Sequence, residues 1–167
     1  MIRPSFVLRG LGLILLGLVL ATCGFYSFKS GRTAIVSSIG IPLFENETAE
    51  YGLAEQLTEG ITDGLIEENI IKVVDPSRAE SILKGAVLTY TRSAYTFDAD
   101  ENVQEYIVEI TIRARLVSVA DDTPIWEAAS IRGWGEYSAD GETEQDGQKR
   151  AIEKLTEEIL NRTVKGW

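Results

Sequence analysis

The spacing of apolar and polar residues changes character several times along the chain. Leu11 to Ala21 is apolar without a break. Thr33 to Ile39 is rich in Ile, Val and Ser, which predicts a first strand. Asn46-Glu47-Thr48 supplies turn and cap residues. From Tyr51 the period becomes helical. Ala54, Leu57, Ile61 and Leu65 recur every three or four residues, with Glu55, Glu59, Asp63 and Glu67 on the other side. Gly60 and Gly64 weaken this helix by about 1 kcal/mol each relative to Ala and would let it lie close on a sheet. Ile70 to Val74 is a short β-type run closed by Asp75-Pro76. Ser81 to Phe97 is a long run of β-formers, broken at Asp98-Ala99-Asp100-Glu101-Asn102 by a hairpin loop. In Val103 to Val119 the period is two: Tyr106, Val108, Ile110, Ile112, Ala114 and Leu116 alternate with Glu109, Thr111, Arg113 and Arg115. A turn at Ala120 to Thr123 leads to a third long strand, Pro124 to Tyr137. Thr143-Glu144-Gln145-Asp146 fits a capping box, and Ile152, Leu155, Ile159 and Leu160 form the stripe of a last helix.

These elements predict one α+β domain of order β-α-β-β-β-α. Two amphipathic helices pack on one face of a mainly antiparallel, roughly four-stranded sheet. The pattern leaves open whether residues 70–74 add a further strand. The opposite sheet face, carrying Thr111, Arg113 and Arg115, stays free for solvent or a partner.

Composition narrows the chemistry. The chain has no histidine, which removes imidazole acid-base catalysis, His-ligated zinc and the Ser-His-Asp and Cys-His arrangements. Its one Cys cannot form an intramolecular disulfide. The formal net charge of -10 argues against nucleic acid as a partner. No nucleophile sits beside a base and no glycine-rich phosphate loop precedes a helix, so the sequence reads as a non-enzyme with no metal and no cofactor.

The N-terminus reads as an address. Arg3 and Arg9 precede an eleven-residue apolar block (Leu11–Ala21), which as a helix spans about 16 Å, half of a bilayer core. That is a secretory signal layout rather than a transmembrane anchor. Leu20-Ala21-Thr22-Cys23 resembles the lipobox of bacterial lipoproteins, in which the Cys thiol takes a diacylglycerol and the freed amine an acyl chain. By the same resemblance, Gly24 after the Cys implies the outer membrane, with the domain on its periplasmic side. The organisation is then a signal peptide at 1–22, a lipidated Cys23 and tether at 23–32, and the α+β domain at 33–167. Without Arg3 and Arg9 the mature chain carries 14 basic and 26 acidic side chains, a balance of -12.

Several blocks taken in order resemble the lipopolysaccharide-assembly lipoprotein family, LptE. They are CGFYSF from Cys23, IPLFENETAEYGLAEQLTEGI from Ile41, VVDPSRAESILKGAVLTY from Val73, QEYIVEITIRARLVSVADDTPIW from Gln104, and a C-terminal amphipathic helix. The resemblance implies a protein that plugs a large outer-membrane β-barrel of the LptD kind, assists its assembly and helps lipopolysaccharide reach the cell surface. The alternative is an envelope-scaffolding or small-ligand-binding lipoprotein without a barrel partner.

Arg92, Arg113, Arg115 and Arg132 are the candidate contacts with lipopolysaccharide or barrel. Guanidinium groups bind phosphate bidentately, and the lipid A and core sugars that the resemblance implies are phosphorylated. The competing reading is cross-strand pairing with Glu109, Glu127 or Glu136. Asp98, Asp100, Glu101 and Asn102 read as a solvated hairpin tip rather than a calcium loop. Glu67-Glu68 and Glu157-Glu158 read as solvated helix faces, and Trp126 and Trp134 as core or sheet-surface residues.

Overall fold

The computed structural model describes residues 37–165. The apolar block, Cys23, the tether and residues 33–36 of the first predicted strand lie outside the described residues. The elements are β1 (Ser38–Gly40), β2 (Glu45–Asn46), α1 (Leu53–Glu68), β3 (Lys72–Val73), a 3-10 turn (Pro76–Arg78), β4 (Ser81–Phe97), β5 (Val103–Ser118), β6 (Pro124–Ser138) and α2 (Glu144–Lys165).

Among the described residues six strands form one sheet, ordered β3-β1-β4-β5-β6, with β2 also beside β4. The long strands β4, β5 and β6 form an antiparallel meander. β1 runs parallel to both β3 and β4, and β2 runs parallel to β4. The sheet is therefore mixed, with six strands where the pattern predicted about four, mainly antiparallel. The reason is local. A helix between β1 and β3 carries the chain back to its starting end, so the two strands must be parallel. Strands of two or three residues are also too short to display a period. β2 occupies a stretch read as turn, and residues 70–74 do contribute a strand, Lys72–Val73.

The helix start differs as well. Asn46 Oδ1 accepts from the Thr48 N–H at 3.0 Å, and Asn46 Nδ2 donates to the Glu50 carbonyl at 2.7 Å. This makes a turn and not a cap. The α1 cap position is Gly52, at φ 75°, which only glycine adopts without strain.

The helices bury their stripes against one sheet face. Leu53, Leu57, Ile61 and Leu65 of α1, and Ala151, Leu155 and Ile159 of α2, join Val108, Ile110, Ile112 and Leu116 of β5 in a single core. Each Val, Leu or Ile among them contributes about 1.5–3 kcal/mol on full burial. Gly60 and Gly64 permit a close approach, but to α2 rather than to the sheet: a Cβ on Gly60 would lie 2.7 Å from Ile152 Cγ2. α2 in turn rests directly on the β6 backbone at Gly133 and Gly135. Its first turn keeps half of the predicted capping box. The Asp146 carboxylate accepts from the Thr143 N–H at 2.8 Å, while the Thr143 hydroxyl donates to that carboxylate instead of capping an amide.

Candidate functional site

The face of the sheet away from the helices carries the side chains of chemical interest, and β-bulges decide which residues reach it. Cross-strand neighbours share a face. On β5 the odd-numbered residues, including Glu109, Thr111, Arg113 and Arg115, point to the uncovered side, because Val108 to Leu116 at even numbers are buried. An extra residue in β4, Leu88, breaks the register between Val87 and Thr89. Lys84, opposite Arg115, is on the uncovered face before the bulge. Arg92, opposite Val108, is on the helix side after it. A bulge in β6 similarly separates the tryptophans: Trp126 lies opposite Leu116 on the helix side, and Trp134 opposite Glu109 on the uncovered face.

The four candidate arginines therefore do not form one cluster. Arg113 is held by two acids of the β2 region, Glu47 at 2.7 Å and Glu45 at 3.3 Å. Arg132 pairs with Glu109 across β5 and β6 at 3.3 Å, the cross-strand pairing that competed with ligand contact in the sequence. Arg132 is 66% exposed, so this pair contributes little to stability. Arg115 forms no ion pair among the described residues, although Glu127 lies opposite it on β6. Lys84 joins Arg113, Arg115 and Arg132 as a fourth cation on this face. Its place in the group depends on the β4–β5 register, which the sequence does not display.

Arg92 belongs to a different structure. Its guanidinium lies over the Tyr106 ring at 3.9 Å, donates to the Tyr137 hydroxyl and sits 3.4 Å from Glu144. Tyr106 and Tyr137 stack at 5.4 Å. Tyr90 donates to Glu144 at 2.6 Å, and its phenol is pushed well above its ordinary pKa by burial first and by Glu144 second. These residues staple the hairpin to the first turn of α2, which engages the guanidinium that the sequence offered for ligand contact.

The hairpin tip is an Asp-centred turn. Asp98 Oδ1 accepts from the N–H groups of Asn102 at 2.8 Å and Asp100 at 2.9 Å, and Oδ2 accepts from Gln104 Nε2 at 3.2 Å. These bonds, led by the Asn102 amide, hold the Asp98 carboxyl below the usual carboxylate range. Glu142 is lowered chiefly by Arg150, and Asp146 chiefly by the Thr143 amide. Carboxylates lowered by folding add stability above their unfolded pKa values, near 4, and lose it as pH falls through the lower folded values. Denaturant midpoints should accordingly hold steady down to about pH 4 and then fall. The fall should be shallower in Asp98→Asn; an identical acid limb in that variant would contradict the assigned role of the tip.

On the helix side, α1 and α2 flank a groove of about 850 Å³ lined by Glu59, Asp63, Glu67, Glu153 and Glu157. Glu157 pairs with Lys154 and Glu158 with Arg162 along α2, as solvated helix faces do.

The architecture defines a class: a small α+β domain with two helices over one face of a mixed sheet and, among the described residues, no element over the other. The chain belongs to the lipopolysaccharide-assembly family LptE, whose model matches residues 36–163. Membership implies a lipoprotein of the envelope with a part in lipopolysaccharide transport. No curated protein matches the sequence. Among solved structures, the hypothetical protein CT253 from Chlamydia trachomatis is similar with a TM-score of 0.60 and 10% identity, over 78% of this chain and 97% of that one. A dodecameric PelC variant from Paraburkholderia phytofirmans gives a TM-score of 0.52 at 18% identity, over 78% of this chain and 90% of that one. A lipoprotein from Caulobacter crescentus CB15 gives 0.51 at 19% identity, over 73% and 88%. At these identities the likeness is one of fold.

Proposed function

We propose that this protein is an outer-membrane lipoprotein, anchored through acylated Cys23 on the periplasmic side, that plugs an LptD-like β-barrel and assists its assembly and the passage of lipopolysaccharide. It acts by contact and not by catalysis. The observation that carries the reading is the uncovered sheet face. Helices cover one side of the sheet, while the other presents Lys84, Glu109, Thr111, Arg113, Arg115, Arg132 and Trp134. A barrel lumen is polar and water-filled, and a plug lodged in it needs a polar surface of this kind. Family membership supplies the transport role, and the lipobox resemblance supplies the anchor. Stable anchoring needs more than one acyl chain, which a diacylglycerol plus an N-acyl group provides.

The test is charge reversal where the fold does not depend on the charge. Arg115→Glu/Arg132→Glu should fold at the wild-type midpoint, since both side chains are exposed. It should recover markedly less barrel from detergent-solubilised envelopes, because reversal adds repulsion to the lost contact. Glu59→Lys/Glu153→Lys, in the groove between the helices, should recover wild-type amounts. Full barrel recovery by a folded arginine variant would contradict contact through this face.

A further inference from the structure

β6 is the last strand in the sheet order, and the bonds along it show which of its backbone groups look outward. The Ala139 N–H donates to the Gln104 carbonyl at 2.9 Å, in the register that pairs β5 with β6. Opposite residues of an antiparallel pair alternate between exchanging both hydrogen bonds and turning away. Tyr137, Gly135, Gly133 and Ile131 therefore bond to β5, while Ser138, Glu136, Trp134 and Arg132 turn their N–H and C=O groups to the outer edge. Side chains engage the first two. The Ser138 N–H donates to Glu142 at 2.7 Å, and the Glu136 carbonyl accepts from Arg150 at 2.6 Å. The outward N–H and C=O groups of Arg132 and Trp134 have no partner among the described residues.

An unpaired edge is a template for another strand. The Glu142–Arg150 pair closes one end of this one, and the bulge before Ile131, with Pro124 beyond it, closes the other. A second copy does not fit the opening. α2 lies on the β6 backbone at Gly133 and Gly135. Antiparallel pairing of two β6 edges about a two-fold would set the strands about 4.8 Å apart and the two α2 helices at about that spacing, where packed helices need roughly 8–10 Å.

We propose that Arg132 to Trp134 of β6 accept one added strand from a partner protein, an extended acidic segment that brings no helix over that side. Charge selects the acid. Arg132 borders the edge on the uncovered face. Arg150 and Lys154, four residues apart, share one flank of α2, and the Arg150 bond to the outward Glu136 carbonyl turns that flank to the edge. Successive side chains of an added strand point to opposite faces, so acids at odd or even positions meet a cation. Arg132 holds Glu109 and Lys154 holds Glu157 in exposed pairs, which are weak and exchange for an incoming carboxylate. The site is the strand's edge and goes beyond the barrel reading without resting on it.

The test uses the full-length mature protein in detergent at low ionic strength, with the capped octapeptides TETETETE and TKTKTKTK as probes. In NMR hydrogen exchange without peptide, the Arg132 and Trp134 amides should exchange about tenfold faster or more than those of Gly133 and Gly135, which are in the ladder. Saturating TETETETE should slow Arg132 and Trp134 by about tenfold, leave Gly133 unmoved, and bind about tenfold more tightly than TKTKTKTK. Arg132→Pro removes an outward donor and no ladder bond, so it should fold. It should bind TETETETE about fivefold more weakly than Arg132→Gln, which loses the charge and keeps the N–H. Sedimentation should show a monomer. A wild-type dimer that Arg132→Pro abolishes would assign the edge to a second copy and overturn the proposal. Slow exchange of Arg132 and Trp134 without peptide, equal binding of the two octapeptides, or equal binding by the two variants would also overturn it. The wild-type exchange rates decide even where Arg132→Pro does not fold. No barrel is present in this measurement, so its failure and the failure of the barrel reading are separate results.

Discussion

Ile112→Ala will lower the unfolding free energy by about 2–5 kcal/mol, while Arg115→Ala three positions along the same strand leaves it within about 0.5 kcal/mol. Ile112 is fully buried at the centre of the meander. Its cross-strand neighbours are Val87 on β4 and Ile131 on β6, and both are buried. The position is enclosed by sheet on both flanks and by helices above, so the cavity left by truncation has little to collapse into it. Urea denaturation of the two variants reads the difference directly. Equal midpoints would mean that the covered and uncovered faces of β5 have been interchanged.

Gly135→Ala will be the second large loss, about 1–3 kcal/mol from overpacking. A Cβ there would clash with the Gly147 carbonyl and lie 2.7 Å from Arg150 Cβ and 2.8 Å from the Ala151 nitrogen. The neighbours cannot simply yield. Arg150 Nη1 donates to the Glu136 carbonyl at 2.6 Å, and the same guanidinium pairs with Glu142, which fixes this turn of α2. The helix must lift off β6 to admit the methyl. Gly141→Ala is the comparison: φ is +87° but nothing lies within 4 Å, so only backbone strain of about 1 kcal/mol is expected. Hydrogen exchange should show α2 amides losing protection in Gly135→Ala and keeping it in Gly141→Ala. Equal effects would contradict direct seating of the helix on the strand.

The sequence pattern was readable where elements are long. β4 begins and ends at Ser81 and Phe97, as the run of β-formers predicts, and the apolar side of β5 is the one that its alternation indicates. Two physical features hid the rest. Short parallel strands such as Ser38–Gly40 and Lys72–Val73 have no room for a period, and their pairing is set by the α1 crossover. Single-residue bulges change the side that every later residue faces without marking the composition. Leu88 thus puts Arg92 under α2, although strict alternation from Lys84 would place the two together. Arg113 was identified as a surface cation, but its partners Glu45 and Glu47 come from a strand that the pattern did not show. Lys84 is not singled out by the pattern for a different reason: the β4–β5 register that sets it opposite Arg115 leaves no mark on the sequence.

The most direct measurement is photo-crosslinking in intact envelopes, with a benzophenone side chain at Thr111 on the uncovered sheet face and, separately, at Asp63 in the groove between the helices. Thr111 should crosslink to lumen residues of a large outer-membrane β-barrel that co-purifies in equimolar amount, and Asp63 should give much less of that product. Normal expression and membrane attachment with no barrel adduct from Thr111, and no barrel in the purified material, would contradict a plug that works through this face.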